Sequence, residues 1–382
     1  MQRRLASLLL LPLLAGATLQ AQERPPADAI AALQEKLDKG EVQLRYAEDG
    51  HGYLRSVLAA LQVPAESQVL PFTRSSLMTG LISPKTPRAL YFNDDVAIGV
   101  VHGSSMLELI VNGADGPAFY TFATNRRTRP RFHAEVGRCT FCHNREDGAA
   151  SQWIVADIAA DANGFPARRG GNDQRFDLTD HATAFEKRWG GWYVTGTATN
   201  MRHHGNATLA SGAAELPTGQ GLNVTDLSGR FDPAQTLGAS SDVVALMTLE
   251  HQAGFINRAA VLNTRYSDAG ADELAAYMTF AGETRLPGPV TGNSGFTARF
   301  AALGPRDAAG RGLREHELKT RLFRYPLSYM ITSTAFDALP PPARARVLQR
   351  LGEILRVTPE GRTALAIAAA TRPGLPEGWK TP

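Results

Sequence analysis

RALYFNDDVAIGVVHGSSMLELIVNGADGPAFYTFAT, residues 88–124, decides the fold class. Four apolar or aromatic runs are separated by Asn-Asp-Asp, His-Gly-Ser-Ser and Asn-Gly-Ala-Asp-Gly. Short runs rich in Val, Ile, Phe and Tyr between turn residues predict a meander of antiparallel strands. On the N-terminal side, DAIAALQEKLDK (28–39) and YLRSVLAALQ (53–62) have the apolar spacing of short amphipathic helices. On the C-terminal side, residues 150–240 are rich in Gly, Asn, Asp and Thr, and predict a loop-rich region with a few strands, GGWYVTGTAT (190–199) among them.

From Ser241 the pattern turns helical. SDVVALMTLEHQAGFINRAAVL offers Ser241 or Asp242 as N-cap and a long apolar-periodic body. ADELAAYMTF, GFTARFAAL, LREHELKTRLF (313–323), PPARARVLQRLGEILRV and GRTALAIAAAT continue as helices broken by Pro and Gly. LPGPVTGNSG, 286–295, reads as a surface loop between helical groups. The expected class is therefore α+β: an N-terminal antiparallel meander with short helices, a loop-rich centre and a mostly α-helical C-terminal part. The corresponding divisions are residues 1–21, 22–125, 126–240 and 241–382.

The N-terminal residues stand apart. MQRRLASLLLLPLLAGATLQAQ has two arginines, an apolar run from Leu5 to Leu14 and small residues after it. This is the layout of a secretory signal peptide, with cleavage expected after Ala17 or Ala21. The run is too short to span a bilayer. An exported, periplasmic protein with no stable membrane span after cleavage is expected. The whole chain has 40 basic and 37 acidic residues. Loss of Arg3 and Arg4 leaves 38 against 37, so no charge is available to attract nucleic acid or a polybasic membrane contact.

Both cysteines of the 382 residues fall in GRCTFCHNRE, 137–146. A redox disulfide of the thioredoxin kind expects an apolar strand before the pair. Here the approach, ATNRRTRPRFHAEVGRC, is polar and arginine-rich. A structural zinc site needs four ligands, and there is no second cysteine pair. Cys139, Cys142 and His143 form C-x-x-C-H, the attachment pattern of c-type haem. The two thiols add to the two vinyl groups of the macrocycle, and the next histidine is the proximal iron ligand. One motif implies one haem c. Attachment outside the cytoplasm agrees with the export signal.

For the other face of the iron, Met and His are the usual ligands. Met247 and His251 are four residues apart on the long helix and share a face. They are the leading distal candidates; Met247 is also readable as plain core packing, and His251 as a partly exposed or hydrogen-bonded histidine. Met201, His203 and His204 are further candidates, also readable as a polar loop, and His181 reads as a ligand candidate or a helix-start or turn residue; His133 reads as loop, within reach of an indirect contact to the site. Trp189, Trp192 and Tyr193 read as core aromatics or as the lining of a haem pocket. Arg126, Arg127, Arg129 and Arg131 suit haem propionates, an anionic substrate or a solvated basic loop.

SPKTPRALYFNDDVAIG, the C-x-x-C-H site, RWGGWYVTG, RHHGN, SDVVALMTLEHQ and LFRYPLSYMI occur in this order. In these segments the chain resembles a family of exported bacterial single-haem c-type cytochrome-like proteins of largely uncharacterised function, over roughly residues 65–378. The resemblance implies haem c on Cys139, Cys142 and His143, and an electron-transfer or redox role. The expected partner is a periplasmic redox protein or small molecule. Simple haem carriers need only about a hundred residues, the size of a small domain. The greater length here keeps two other readings open. One is a haem enzyme with an open distal site, an oxidoreductase of peroxidase or oxidase type. The other is a haem-based binding or sensing module.

Overall fold

The computed structural model describes residues 28–113, 116–148, 150–167 and 177–380. The expected signal peptide lies outside the described residues. The first elements are helices α1 (Ala29–Asp38) and α2 (Leu54–Ala60). Asp28 caps α1, its carboxylate accepting from the Ile30 and Ala31 amides. A short strand β1 (Leu70–Pro71) leads to the meander, β2 (Arg88–Phe92), β3 (Val96–Val101), β4 (Met106–Gly113), β5 (Gly116–Ala123) and β6 (Phe132–Ala134). These five strands pair antiparallel in sequence order, and the chain reverses at the turn residues 93–95 and 102–105. The fold is α+β with a meander in its N-terminal half, as the alternation of apolar runs and turns requires.

Period-2 alternation sends two different faces into two cores. Leu107, Leu109 and Val111 of β4 join α1 and α2 in one apolar cluster. Leu90, Phe92, Ala97 and Ile110 pack instead against the cluster of the C-terminal helices. The sheet is thus covered on both faces over part of its area.

The one-turn helix α3 (Thr140–His143) follows the sheet. Among the described residues, the middle of the chain contributes only two-residue strands. These are β7 (Ala156–Asp157) with β8 (Asp177–Leu178), β9 (Trp192–Tyr193) with β1, and β10 (Thr197–Ala198) with β11 (Val290–Thr291). The helical part comprises α4 (Val243–Thr264), α5 (Asp268–Met278), α6 (Phe296–Ala302), α7 (Thr334–Asp337), α8 (Pro341–Leu355) and α9 (Pro359–Thr371). Asp242, one of the two caps the sequence offered, closes the start of α4. This helix is the axis of the molecule, buried on every face from Val243 to Ile256. No helix among the described residues is long and apolar enough to cross a membrane.

Two expectations fail. LREHELKTRLF forms no helix. The Glu317 carboxylate instead accepts from the amides of Lys319, Thr320 and Arg321 at 2.7–3.0 Å, and Leu318 takes φ +60°. A side chain that binds the backbone donors just ahead of it competes with the helical ladder. Residues 286–295 are more than a surface loop. Val290 is buried in β11, and the amides of Asn293 and Ser294 donate to the buried Asp242 carboxylate.

Candidate functional site

Gly137, at φ +101°, turns the chain out of the sheet. The next residues close one helical turn, with the Cys142 and His143 amides donating to the Cys139 carbonyl at 3.2 and 3.0 Å. Cys139 is half-buried and Cys142 exposed, and neither is in a disulfide. Burial, followed by the charges of Glu135 and Glu108, pushes the Cys139 thiol up. Reactive redox cysteines sit where the thiolate is favoured, so this environment suits a thiol that is held rather than one that attacks disulfides.

His143 is the most constrained member of the turn. Its Nδ1 lies 2.7 Å from the carbonyl oxygen of Gln152. A carbonyl can only accept, so Nδ1 carries the proton and donates. Nε2 is then the lone-pair nitrogen, and no hydrogen bond among the described residues engages it. The Phe119 ring of β5 packs against the imidazole, with centroids 4.8 Å apart. Burial holds the imidazole below its ordinary pKa, which favours the neutral, ligating form.

The Gln152 carbonyl is brought back by a tight hairpin. His143 and Gln152 pair through a 2.8 Å main-chain bond, Asn144 bridges Ser151, and Gly148 (φ +64°) makes the turn. Beyond the hairpin, the Asn257 side chain of α4 accepts from the Trp153 amide at 2.7 Å and donates to the Trp153 carbonyl at 2.9 Å. On the sheet beneath, Arg88 pairs with Glu108 at 2.9 Å, and Glu135 binds Thr121 and Arg138. Val136 and Phe141 flank the turn at 91% and 86% exposure, an apolar rim on a largely polar surface.

The donors on this turn are two thiols and one imidazole with a free Nε2. Among the described residues, no group of three or more His, Cys, Asp or Glu side chains is arranged to hold a metal ion directly. The set is incomplete for bare zinc. It fits a group that brings its own in-plane ligands and needs two thioether anchors and one axial nitrogen.

Met247 and His251 lie elsewhere. Met247 is 2% exposed within the helical core. The fully buried His251 uses both ring nitrogens, Nδ1 to His181 Nδ1 at 2.8 Å and Nε2 to Ser328 Oγ at 2.7 Å. At 1.5 Å per residue, they stand about 15 Å and about 9 Å along α4 from Asn257, the point where the hairpin is tied down. No hydrogen bond or ring contact joins either to the Cys139–His143 turn.

Most of the remaining candidates are also engaged. His204 pairs with Asp157 at 3.0 Å, and His203 lies under Trp189. Met201, Trp189, Trp192 and Tyr193 are core, and His133 is exposed on β6. Arg126 binds Glu48, while Arg129 and Arg131 face Asp38 at the end of α1. Inside the helical core, Arg188 and Glu250 form a buried ion pair at 3.0 Å.

Sequence reasoning missed Gln152, Asn257, Phe119 and the Arg88–Glu108 pair. Asp147-Gly148 was the one legible sign of the hairpin. No family model, no curated protein and no solved structure matches this chain.

Proposed function

We propose that the chain is an exported c-type cytochrome-like protein with one haem, acting in periplasmic electron transfer. The observation that carries this reading is the His143 imidazole. In a C-x-x-C-H turn, its Nδ1–H is fixed on a main-chain carbonyl and its Nε2 is left with a free lone pair. This is how proteins prepare a metal-binding histidine, through the hydrogen bond on its other nitrogen. Cys139 and Cys142 would hold the group covalently. Each S–H adds across a vinyl double bond, sulfur to one carbon and hydrogen to the other, with no oxidant required. His143 would be the axial ligand, and Phe119 walls its ring. When bound, the haem supplies a one-electron couple. The partner is a redox protein or small molecule.

The engagement of His251 favours a second reading. With both its nitrogens hydrogen-bonded and Met247 in the core, neither leading distal candidate is free to bind iron. That supports a haem enzyme with an open distal site.

The test is production of the full chain in a host with c-type haem maturation, followed by denaturation and a pyridine haemochrome spectrum. Haem that stays with the denatured wild type, and is lost from the Cys139→Ala/Cys142→Ala variant, is expected. A wild-type chain without covalent haem overturns the proposal.

A further inference from the structure

The peptide unit between Gln152 and Trp153 is bound on both of its polar ends. Its carbonyl accepts from His143 Nδ1 at 2.7 Å. Its N–H donates to Asn257 Oδ1 at 2.7 Å. The Asn257 amide also donates to the next carbonyl, that of Trp153, at 2.9 Å. We infer that Asn257 is the positioning residue for the iron ligand, acting on His143 through this one peptide plane. The inference rests on the haem reading above and extends it from the ligand to what orients the ligand.

Three physical points carry it. First, the hairpin cannot fix the ring alone. Its bond from the Gln152 amide to the His143 carbonyl is local and moves with the turn it would have to hold. Asn257 belongs to α4, which is buried along most of its length, and it lies 104 residues away in sequence. Secondly, a peptide unit is planar, so the Gln152 carbonyl cannot swing off Nδ1 without dragging the Trp153 N–H off Asn257. Thirdly, hydrogen bonds in series polarise one another. An acceptor on the N–H makes the carbonyl a better acceptor for Nδ1–H, which raises the basicity of Nε2 as a ligand. A more basic axial nitrogen stabilises ferric iron, so the Asn257 link lowers the potential.

The experiment uses the full mature chain, with and without haem, and three variants. Asn257→Leu removes both side-chain bonds. Asn257→Asp keeps the acceptor for the Trp153 N–H. Gln252→Ala, one turn and a half away on α4, removes a comparable pair of bonds to Asn93 and Tyr329 that do not lead to His143.

In the haem-loaded protein, Asn257→Leu is expected to raise the midpoint potential and lower the ferrous iron–histidine stretching frequency. Asn257→Asp is expected to leave both at wild-type values or to shift them the opposite way. In the haem-free chain, nitrogen-15 NMR of His143 where the ring is neutral should show one Nδ1–H tautomer for wild type and Asn257→Asp, and a mixture for Asn257→Leu.

A purely structural role would make Gln252→Ala act like Asn257→Leu, and that outcome overturns the inference. So does wild-type behaviour of Asn257→Leu. If Asn257→Leu does not fold, Asn257→Asp decides: loss of the single tautomer there is equally fatal. If the wild-type chain takes up no haem, the haem reading fails, while the tautomer comparison still judges Asn257.

Discussion

Arg88 crosses the face of Gly99 to reach Glu108, 2.9 Å away on the second strand over. Arg88 is on β2, Gly99 on β3 and Glu108 on β4, with Gly99 paired directly to Glu108. A Cβ on Gly99 would collide with the Arg88 guanidinium. The absence of a side chain is what opens the path. Glu108 also accepts from the Leu77 amide, and its charge reaches Cys139. The ion pair therefore ties three strands together under the cysteine turn.

Gly99→Ala should displace Arg88 and cost about 1–3 kcal/mol, the range for breaking a partly buried network. The colliding atoms are the far end of a flexible side chain, so the fold survives. Urea unfolding of Gly99→Ala, Arg88→Ala and the double variant checks this. The double variant should be far less destabilised than the sum of the two, because both act through the same pair. Additive costs would show that Gly99 is not there for Arg88.

The His181–His251 pair should make the helical core acid-labile. Burial holds His181 down at about 4, and holds His251 well below its ordinary value. Both folded values are depressed relative to the unfolded chain, so the unfolded state takes up protons first. The contribution to stability is fully present above about pH 6.5 and is lost as pH falls towards 4. For His181 alone the loss amounts to about 3 kcal/mol. A His181→Gln variant should be less stable than wild type at pH 8, and the gap should narrow or reverse at pH 4.5. Parallel pH profiles for the two proteins would dismiss the pair as the source.

The legible parts of this chain were those written in side-chain pattern. Turn residues between apolar runs gave the meander, and Ser-Asp before an apolar body gave the cap of α4. C-x-x-C-H singled out the candidate site because the pattern lies in three side chains of one short stretch, Cys139, Cys142 and His143. What orients His143 was invisible for a physical reason. A main-chain carbonyl carries no residue identity, so Gln152 had no reason to stand out. Asn257 meets Trp153 only through the tertiary fold. LREHELKTRLF misled because apolar spacing cannot reveal that Glu317 will bind its own backbone. Met247 and His251 share a helical face as their spacing demands, but that face is turned into the core.

The β2–β3 turn should respond to pH in the opposite sense from the histidine pair. Asp95 is held up at about 6, by burial first and by the adjacent Asp94 second, while Thr334 and Asn112 bind it. The folded value lies above the unfolded one, so the stabilising contribution is present below about pH 4 and is lost as pH rises through about 6. Asp95→Asn should therefore stabilise the protein at pH 8, by about 1–2 kcal/mol given the partial exposure of this turn, and change nothing at pH 3.5. Thermal melts at the two pH values test the sign. Destabilisation by Asp95→Asn at pH 8 would mean that the ionised carboxylate is needed there.

The distal face of the proposed haem can be probed through two residues that the core already claims. His251 would have to release His181 or Ser328 to bind iron, leaving a buried polar group unsatisfied at a cost of about 1–3 kcal/mol. Met247 would have to leave a packed site, and Leu-sized truncations of such sites cost about 2–5 kcal/mol. Met247→Ala and His251→Ala should therefore lower the melting temperature while leaving the optical spectra of oxidised and reduced haem unchanged. The same argument predicts that reduced wild type binds CO without displacing a protein ligand. A low-spin ferrous spectrum that resists CO, turned CO-sensitive by either substitution, would place that residue on the iron and exclude the open distal site.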